Sequence, residues 1–378
     1  MSQIADLSKP LVLVTGATGA IGPCVVQTLV QAGFRIRAFS YDAPAVGTFQ
    51  QRVEVLVGDV TDQVAVQSVM QGVDAVIHMA ALLHIVNPPP ELREKYERVN
   101  IGGTAVVVEA AIKAGVKRVV LFSTIAVHGP SGGCVLNETS QTYPDTFYAQ
   151  TKCAAEQIVL NARDEEGHAM GTVLRLGAVY GSRIKGNYER LTRALAGNRF
   201  ISVGSNLGTR SKFLKKFGHV PRLPFIPIGS GLNRRTLVYD KDVGRAAALA
   251  VSHPAAAGRI FNVTDGEYHT MNEIIESICS ALGRKAPRLS LPIGSTRTLA
   301  GIVDKVSRGI VGTRSRILAN SGHVPTIPLA IQAMLDKYTE DIAVDGSLIR
   351  KELGFVPQYD LQAGWEETIR EMRRAGEL

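Results

Sequence analysis

The sequence predicts an α/β fold built on a doubly wound, parallel β-sheet, with a smaller discontinuous lobe toward the C-terminus. Three observations predict it. Short apolar runs alternate with helix-like stretches from Leu11 to about Leu176, the first run enters a glycine-rich turn that opens a helix, and the alternation breaks after Gly181. The runs are LVLVT (11–15), FRIRAFS (34–40), VEVLVG (53–58), DAVIHMA (74–80), RVVLFS (118–123) and GTVLRL (171–176). Each is too apolar for a half-solvated strand, so helices are expected on both faces. Helical spacing over Pro23–Ala32 and Ile101–Ala114 supplies two of them, with Gly33 and Gly115 as stops.

Beyond Gly181 the chain turns basic and rich in Gly and Pro up to Arg235, and TLVYDKDVGRAAALAV (236–251) then returns to the sheet region. The expected division is a nucleotide-binding domain over 1–180 and 236–263, with a second lobe over 181–235 and 264–378. FISVGSN (200–206) is echoed by FIPIGSGLN (225–233) around the basic KFLKK (212–216), so 205–229 reads as an inserted loop. A second basic stretch, Arg297 to Arg316, is either a lobe helix packed on the core or an amphipathic surface helix.

At 378 residues, 45% hydrophobic and 20% charged, the chain is an ordinary globular one and exceeds a single average domain. The net charge of +8 is dispersed and accompanies no nucleic-acid motif, so a phosphate-bearing cofactor or substrate is the expected anionic partner. Cys24, Cys134, Cys153 and Cys279 are scattered and read as reduced thiols. With MSQIADLSKP unlike a signal peptide and no apolar stretch long enough to span a bilayer, a cytoplasmic protein is expected.

Thr15-Gly16-Ala17-Thr18-Gly19-Ala20-Ile21-Gly22 follows the first strand and opens a helix. Glycines at 16, 19 and 22 allow a tight turn, let the backbone approach a pyrophosphate and let the helix pack on the strand, while the helix N-terminus faces the negative charge. This is a Rossmann-type dinucleotide turn, and Thr18, Ala20 and Ile21 are expected to line it with the glycines. At the end of the second strand a carboxylate would accept from ribose hydroxyls and repel a 2′-phosphate. Ser40 stands there, followed by Tyr41, with Asp42 displaced by two; no arginine follows directly, so NAD is expected over NADP. Asp59, before Val60, is either an acceptor for the adenine amino group or a cap.

Tyr148 and Lys152 share one face of a helix, so the ammonium is expected to favour the phenolate, with a bound nicotinamide's positive charge adding to it. Ser123 and Thr124 end an apolar strand at the sheet's C-terminal edge, beside the cofactor. Thr124 would hydrogen-bond the substrate oxygen while Tyr148 moves the proton. His78, His84 and His128 make no metal constellation, and no metal site is expected.

In TGATGAIG, GDVTD (58–62), HMAA (78–81), VNIGGT (99–104), STIAVHG (123–129), YAQTK (148–152), LRLGAVYG (174–181) and NRRTLVYDKDV (233–243), taken in order, the sequence resembles the extended short-chain dehydrogenase/reductase family, in its NAD-dependent epimerase/dehydratase branch. The resemblance implies a catalytic set of Thr124, Tyr148 and Lys152. It also implies that Val60, Met79, Ala80, Ala81, Asn100 and Ser123 line the dinucleotide, and that the protein is a homodimer assembled through helices near 92–114 and 147–163. By the same resemblance Asn187 contacts substrate, and Arg235 grips a nucleotide diphosphate unless it is a plain surface charge. His128 replaces the usual tyrosine of its turn, Leu176 replaces a frequent proline, and no second arginine with a nearby aspartate is evident in the C-terminal lobe. The expected activity is nucleotide-sugar epimerisation at a C4 carbinol. The alternative is net oxidation or reduction of a sterol-like or other small alcohol, for which Leu82, Leu83 and Ile85 would supply an apolar lining. A non-catalytic dinucleotide sensor is the third reading, and the intact Thr, Tyr and Lys set argues against it.

Overall fold

In the computed structural model the described residues are 8–83, 91–197, 229–287 and 340–378, with positions 89, 227 and 290 besides. Ile85, the basic stretch Arg297–Arg316 and almost all of the loop expected at 205–229 lie outside them. The first apolar runs become β1 (Leu11–Thr15), β2 (Arg35–Ser40), β3 (Glu54–Val57), β4 (Ala75–His78) and β5 (Arg118–Thr124). The short β6 (Val135–Leu136) is followed by β7 (Gly171–Leu176), β8 (Ala178–Tyr180), β9 (Arg234–Arg235), β10 (Leu237–Tyr239), β11 (Arg259–Val263), β12 (His269–Thr270) and β13 (Ala343–Val344). Seven of them form one parallel sheet in the order β11-β7-β5-β4-β1-β2-β3. The order reverses at β1, the switch point beyond which α/β sheets place their ligands.

The helices are α1 (Gly22–Gln31), α2 (Gln63–Val69), α3 (Leu92–Tyr96), α4 (Gly103–Lys113), α5 (Phe147–Leu160), α6 (Asn187–Gly197), α7 (Asp240–Ser252), α8 (Met271–Leu282), α9 (Ser347–Leu353) and α10 (Leu361–Arg374). A π-helical turn, Glu97–Gly102, joins α3 to α4, so the expected helix at 101–114 begins earlier than its spacing suggested. Strand alternation divides the core in two. Val12 and Val14 face a cluster with Val25 and Leu29 of α1, Val243 and Ala247 of α7 and Ile349 of α9. Leu11 and Leu13 face another with Val66 of α2, Val107 and Ala111 of α4 and Ala155 and Val159 of α5. Helices therefore cover both faces, and continuous apolar strands result. The exception is β3 at the sheet's edge, where Val55 and Val57 are exposed.

Two compact units result: Met1–Ile184, Thr236–Tyr268 and Ile342–Gly364 in one, and Lys185–Arg235, His269–Asp341 and Trp365–Leu378 in the other. Residues 342–364, assigned to the second lobe on sequence, belong to the first unit. There β13 pairs with β6, and Asn262 Nδ2 of β11 donates to the Asp345 carbonyl at 3.0 Å. Strand β10 does not enter the main sheet either; it pairs with β8, and β11 is the seventh strand. Among the described residues no helix is long and apolar enough to cross a membrane. Asp164, Glu166 and His168 cluster within 4.8 Å on an exposed turn, where Asp164 accepts from the His168 amide at 2.7 Å.

Candidate active site

Gly16 takes φ +71°, and a Cβ on it would lie 2.8 Å from the Ala80 nitrogen. The turn can therefore sit on the end of β4 only without a side chain. A Cβ on Gly22 would run into the Ala17 carbonyl, which explains the third glycine of the pattern. Ser40 Oγ accepts from the Thr18 amide at 3.0 Å and pins the turn to β2. Helix α1 has no side-chain cap, and among the described residues nothing accepts from the amides of Ala20 and Ile21. Bare amides at the positive end of a helix are the donor set that a pyrophosphate requires. Tyr41 is largely exposed. Asp59 caps its own turn, accepting from the Thr61 amide at 2.9 Å, which is one of its two expected roles.

A buried polar chain runs from this turn to α5. Thr104 gives its proton to the Asn100 carbonyl at 2.6 Å, so its oxygen accepts from His78 Nε2 at 3.0 Å. His78 Nδ1 is then the acceptor from Thr15 Oγ1 at 2.7 Å, and Thr15 in turn accepts from the amides of Met79 and Ala80 at 3.2 and 3.3 Å. The network thus assigns the Nε2–H tautomer. Asn100 Oδ1 accepts from the Leu82 amide at 2.7 Å, and its Nδ2 donates to the Leu82 carbonyl and, at 3.0 Å, to Thr151 Oγ1. Thr151 donates to the Tyr148 carbonyl at 2.9 Å. Asn100 therefore shapes the site by holding the segment that carries Ala81 to Leu83 and the first turn of α5.

Burial, with the Lys152 charge adding, holds His78 down at about 3, while burial and the neighbouring Arg175 hold His128 down at about 4. Both imidazoles charge near 6.5 in the unfolded chain. Their folded values are depressed, so their contribution is complete above about 6.5 and is lost as pH falls toward 4 and then 3, at about 1.4 kcal/mol per pH unit each. The urea midpoint should fall between pH 6.5 and 4, and fall less steeply in His78→Gln. Equal slopes in the two proteins would contradict this.

Helix α5 is capped by Thr146, whose oxygen accepts from the Ala149 amide at 3.2 Å. It carries the half-buried Tyr148 and the buried Lys152 at i and i+4. Thr124, at the end of β5, accepts from the Ala126 amide at 3.2 Å, which leaves its proton to be donated. Burial, with Tyr96 adding, pushes the Tyr148 phenol up to about 12, opposite to the direction expected from Lys152 alone. Burial also lowers Lys152, to about 8, against the pull of Glu156. Among the described residues the Lys152 ammonium has no hydrogen-bond acceptor, so a buried cation keeps its donors for a ligand. With the bare α1 amides, this fits a dinucleotide, whose central pyrophosphate would meet the amides and whose ribose hydroxyls would meet the ammonium.

The model of the NAD dependent epimerase/dehydratase family matches residues 12–264. The chain belongs to this family. The UDP-glucose 4-epimerase of Vibrio cholerae is 25% identical over 96% of each chain. A 3 beta-hydroxysteroid dehydrogenase/Delta 5-->4-isomerase of Mycobacterium tuberculosis is 28% identical over 95% of this chain and 89% of its own. In fold, the UDP-glucuronic acid 4-epimerase of Bacillus cereus in complex with NAD superposes with a TM-score of 0.68 at 18% identity, covering 97% of this chain and 99% of its own.

Glu156 and Arg175, which the sequence did not single out, lie behind Lys152. Ser123 and Arg175 are register partners across β5 and β7, and both point at Glu156. Ser123 Oγ donates at 2.5 Å, and Arg175 donates through Nη2 at 2.7 Å and Nε at 3.0 and 3.2 Å. The Ser123 hydroxyl, expected at the cofactor, is thus committed to a buried carboxylate. Arg175 Nη1 lies 3.4 Å from His128 Nε2. The signal for Glu156 was present as a third member of the i, i+4, i+8 stripe begun by Tyr148 and Lys152. In the second unit, Asn187 opens α6 and is exposed. Arg235 is buried and lies 3.5 Å from Glu340, while Arg234 makes a forked pair with Asp341 at 2.6 and 3.2 Å.

Proposed function

We propose that this protein is an NAD-dependent epimerase acting at the C4 carbinol of a UDP-hexose-like nucleotide-sugar. The observation that carries hydride-transfer chemistry is the buried Lys152 ammonium with unspent donors, one helical turn from the Tyr148 phenol. NAD, when bound, would supply the hydride acceptor and the positive charge of its nicotinamide. Amides at the α1 N-terminus would hold the pyrophosphate and Lys152 the ribose hydroxyls. Thr124 donates a hydrogen bond to the carbinol oxygen, and Tyr148 takes the proton from that oxygen and later returns it. A phenol near 12 in the free site is a donor at neutral pH, so the base form depends on both neighbouring positive charges. Asn187 and Arg235 serve substrate in this reading, Arg235 exchanging its carboxylate for a diphosphate.

A second reading, oxidation of a sterol-like alcohol, is favoured by Leu83, which is 65% exposed on the segment that Asn100 holds. Incubation of the purified protein with UDP-glucose or a 3β-hydroxysterol separates the two. Interconversion of the 4-epimers without accumulation of NADH supports the first reading. Stoichiometric NADH from the sterol alone replaces it with the second. The homodimer is part of the same proposal, through α4 and α5, and sedimentation as a monomer at assay concentration would remove it.

A further inference from the structure

Tyr148, Lys152 and Glu156 fall on one face of α5 at successive i+4 steps, and the last of them is completely buried. A buried carboxylate is retained only where cations and donors compensate it. Arg175 and Ser123 provide that compensation from β7 and β5, and they fix the carboxylate one turn from Lys152. We propose that Glu156, held in place by Arg175 and Ser123, is a positioning residue that keeps the Lys152 ammonium charged beside the Tyr148 phenol.

The groups around Lys152 leave this task to Glu156. From β4, His78 is neutral because both its ring nitrogens are committed to threonine hydroxyls. From α3, the buried Tyr96 donates its phenol proton to the Leu83 carbonyl at 2.6 Å. On α5 itself, Tyr148 is protonated near neutrality, and Arg175 of β7 is engaged with Glu156. Burial lowers Lys152 and the Glu156 charge opposes it, with the balance at about 8, so the ammonium survives at pH 7. Without Glu156, desolvation acts unopposed and the lysine becomes neutral where it is needed charged.

A merely structural Glu156 would tie α5 to the sheet without moving this titration. The inference rests on the acid–base reading of Tyr148 and Lys152, but its test reads the lysine directly and needs no substrate. In the full-length protein labelled with 13Cε-lysine, the Lys152 resonance is identified by its loss in Lys152→Arg and followed with pH. In Glu156→Gln the midpoint is expected to fall by about one unit or more, and in Glu156→Asp to stay near wild type. The double variant Glu156→Gln/Arg175→Met leaves no orphaned charge, should fold where the single one does not, and should show the same fall. An unmoved midpoint in either folded variant overturns the proposal, whatever substrate the enzyme proves to use.

Discussion

Tyr148→Phe is expected to lower turnover about 10²- to 10⁴-fold with KM for substrate and affinity for NAD nearly unchanged. The variant keeps the ring in its half-buried place and removes only the oxygen that carries the proton. Nothing else in the described site can take over. Thr124 is an alcohol bound to the Ala126 amide, His78 has both ring nitrogens committed, and Lys152 offers donors rather than a base at pH 7. A group that acts only while the proton moves affects kcat, whereas a binding group affects KM. Steady-state kinetics, together with NAD titration by fluorescence, distinguishes these. Retention of more than a tenth of wild-type kcat would show that another group moves the proton. Wild-type activity should also decline as pH rises through about 8, because the ammonium that supports the phenolate is charged below that value and neutral above it.

How much of this was legible follows from what each feature writes into the chain. Strands β1, β4, β5 and β7 are covered on both faces, so each had to be an unbroken apolar run and could be bounded closely from sequence. The glycine turn was legible because Gly16 and Gly22 answer to clashes with fixed backbone. Strand β8 was not, since a three-residue strand carries no period, and the run that became β10 was expected at the main sheet and pairs with β8 instead. Nor was the return of 342–364 to the first unit, which depends on pairings such as β13 with β6 across some two hundred residues of chain. At the site, Tyr148 and Lys152 announced themselves by spacing, but the direction of the phenol's shift did not. That direction depends on burial and on Tyr96, fifty-two positions away in sequence. Nor does the sequence show the role of His78, whose two ring nitrogens meet Thr15 and Thr104, residues distant in the chain.

Arg175→Met should cost about 3–5 kcal/mol, the largest stability loss expected in the first unit. For a domain of this size that is a fall in Tm of about 10 °C. Arg175 supplies most of the donors to Glu156, and with it gone Ser123 alone faces a carboxylate that has no access to water. Coulomb attraction in the intact pair only roughly offsets the cost of burying two ions, so the penalty belongs to the survivor rather than to the lost bond. The double variant Glu156→Gln/Arg175→Met decides between these accounts, because it removes both ions and leaves an amide oxygen for Ser123. Its melting temperature should return to within a few degrees of wild type if the orphaned charge is the cost. A double variant as unstable as the single one would mean that the guanidinium is needed for its packing between α5, β7 and His128. The pair's contribution would then be shape, and the polarity of this buried cluster would be explained only by the charge it maintains on Lys152.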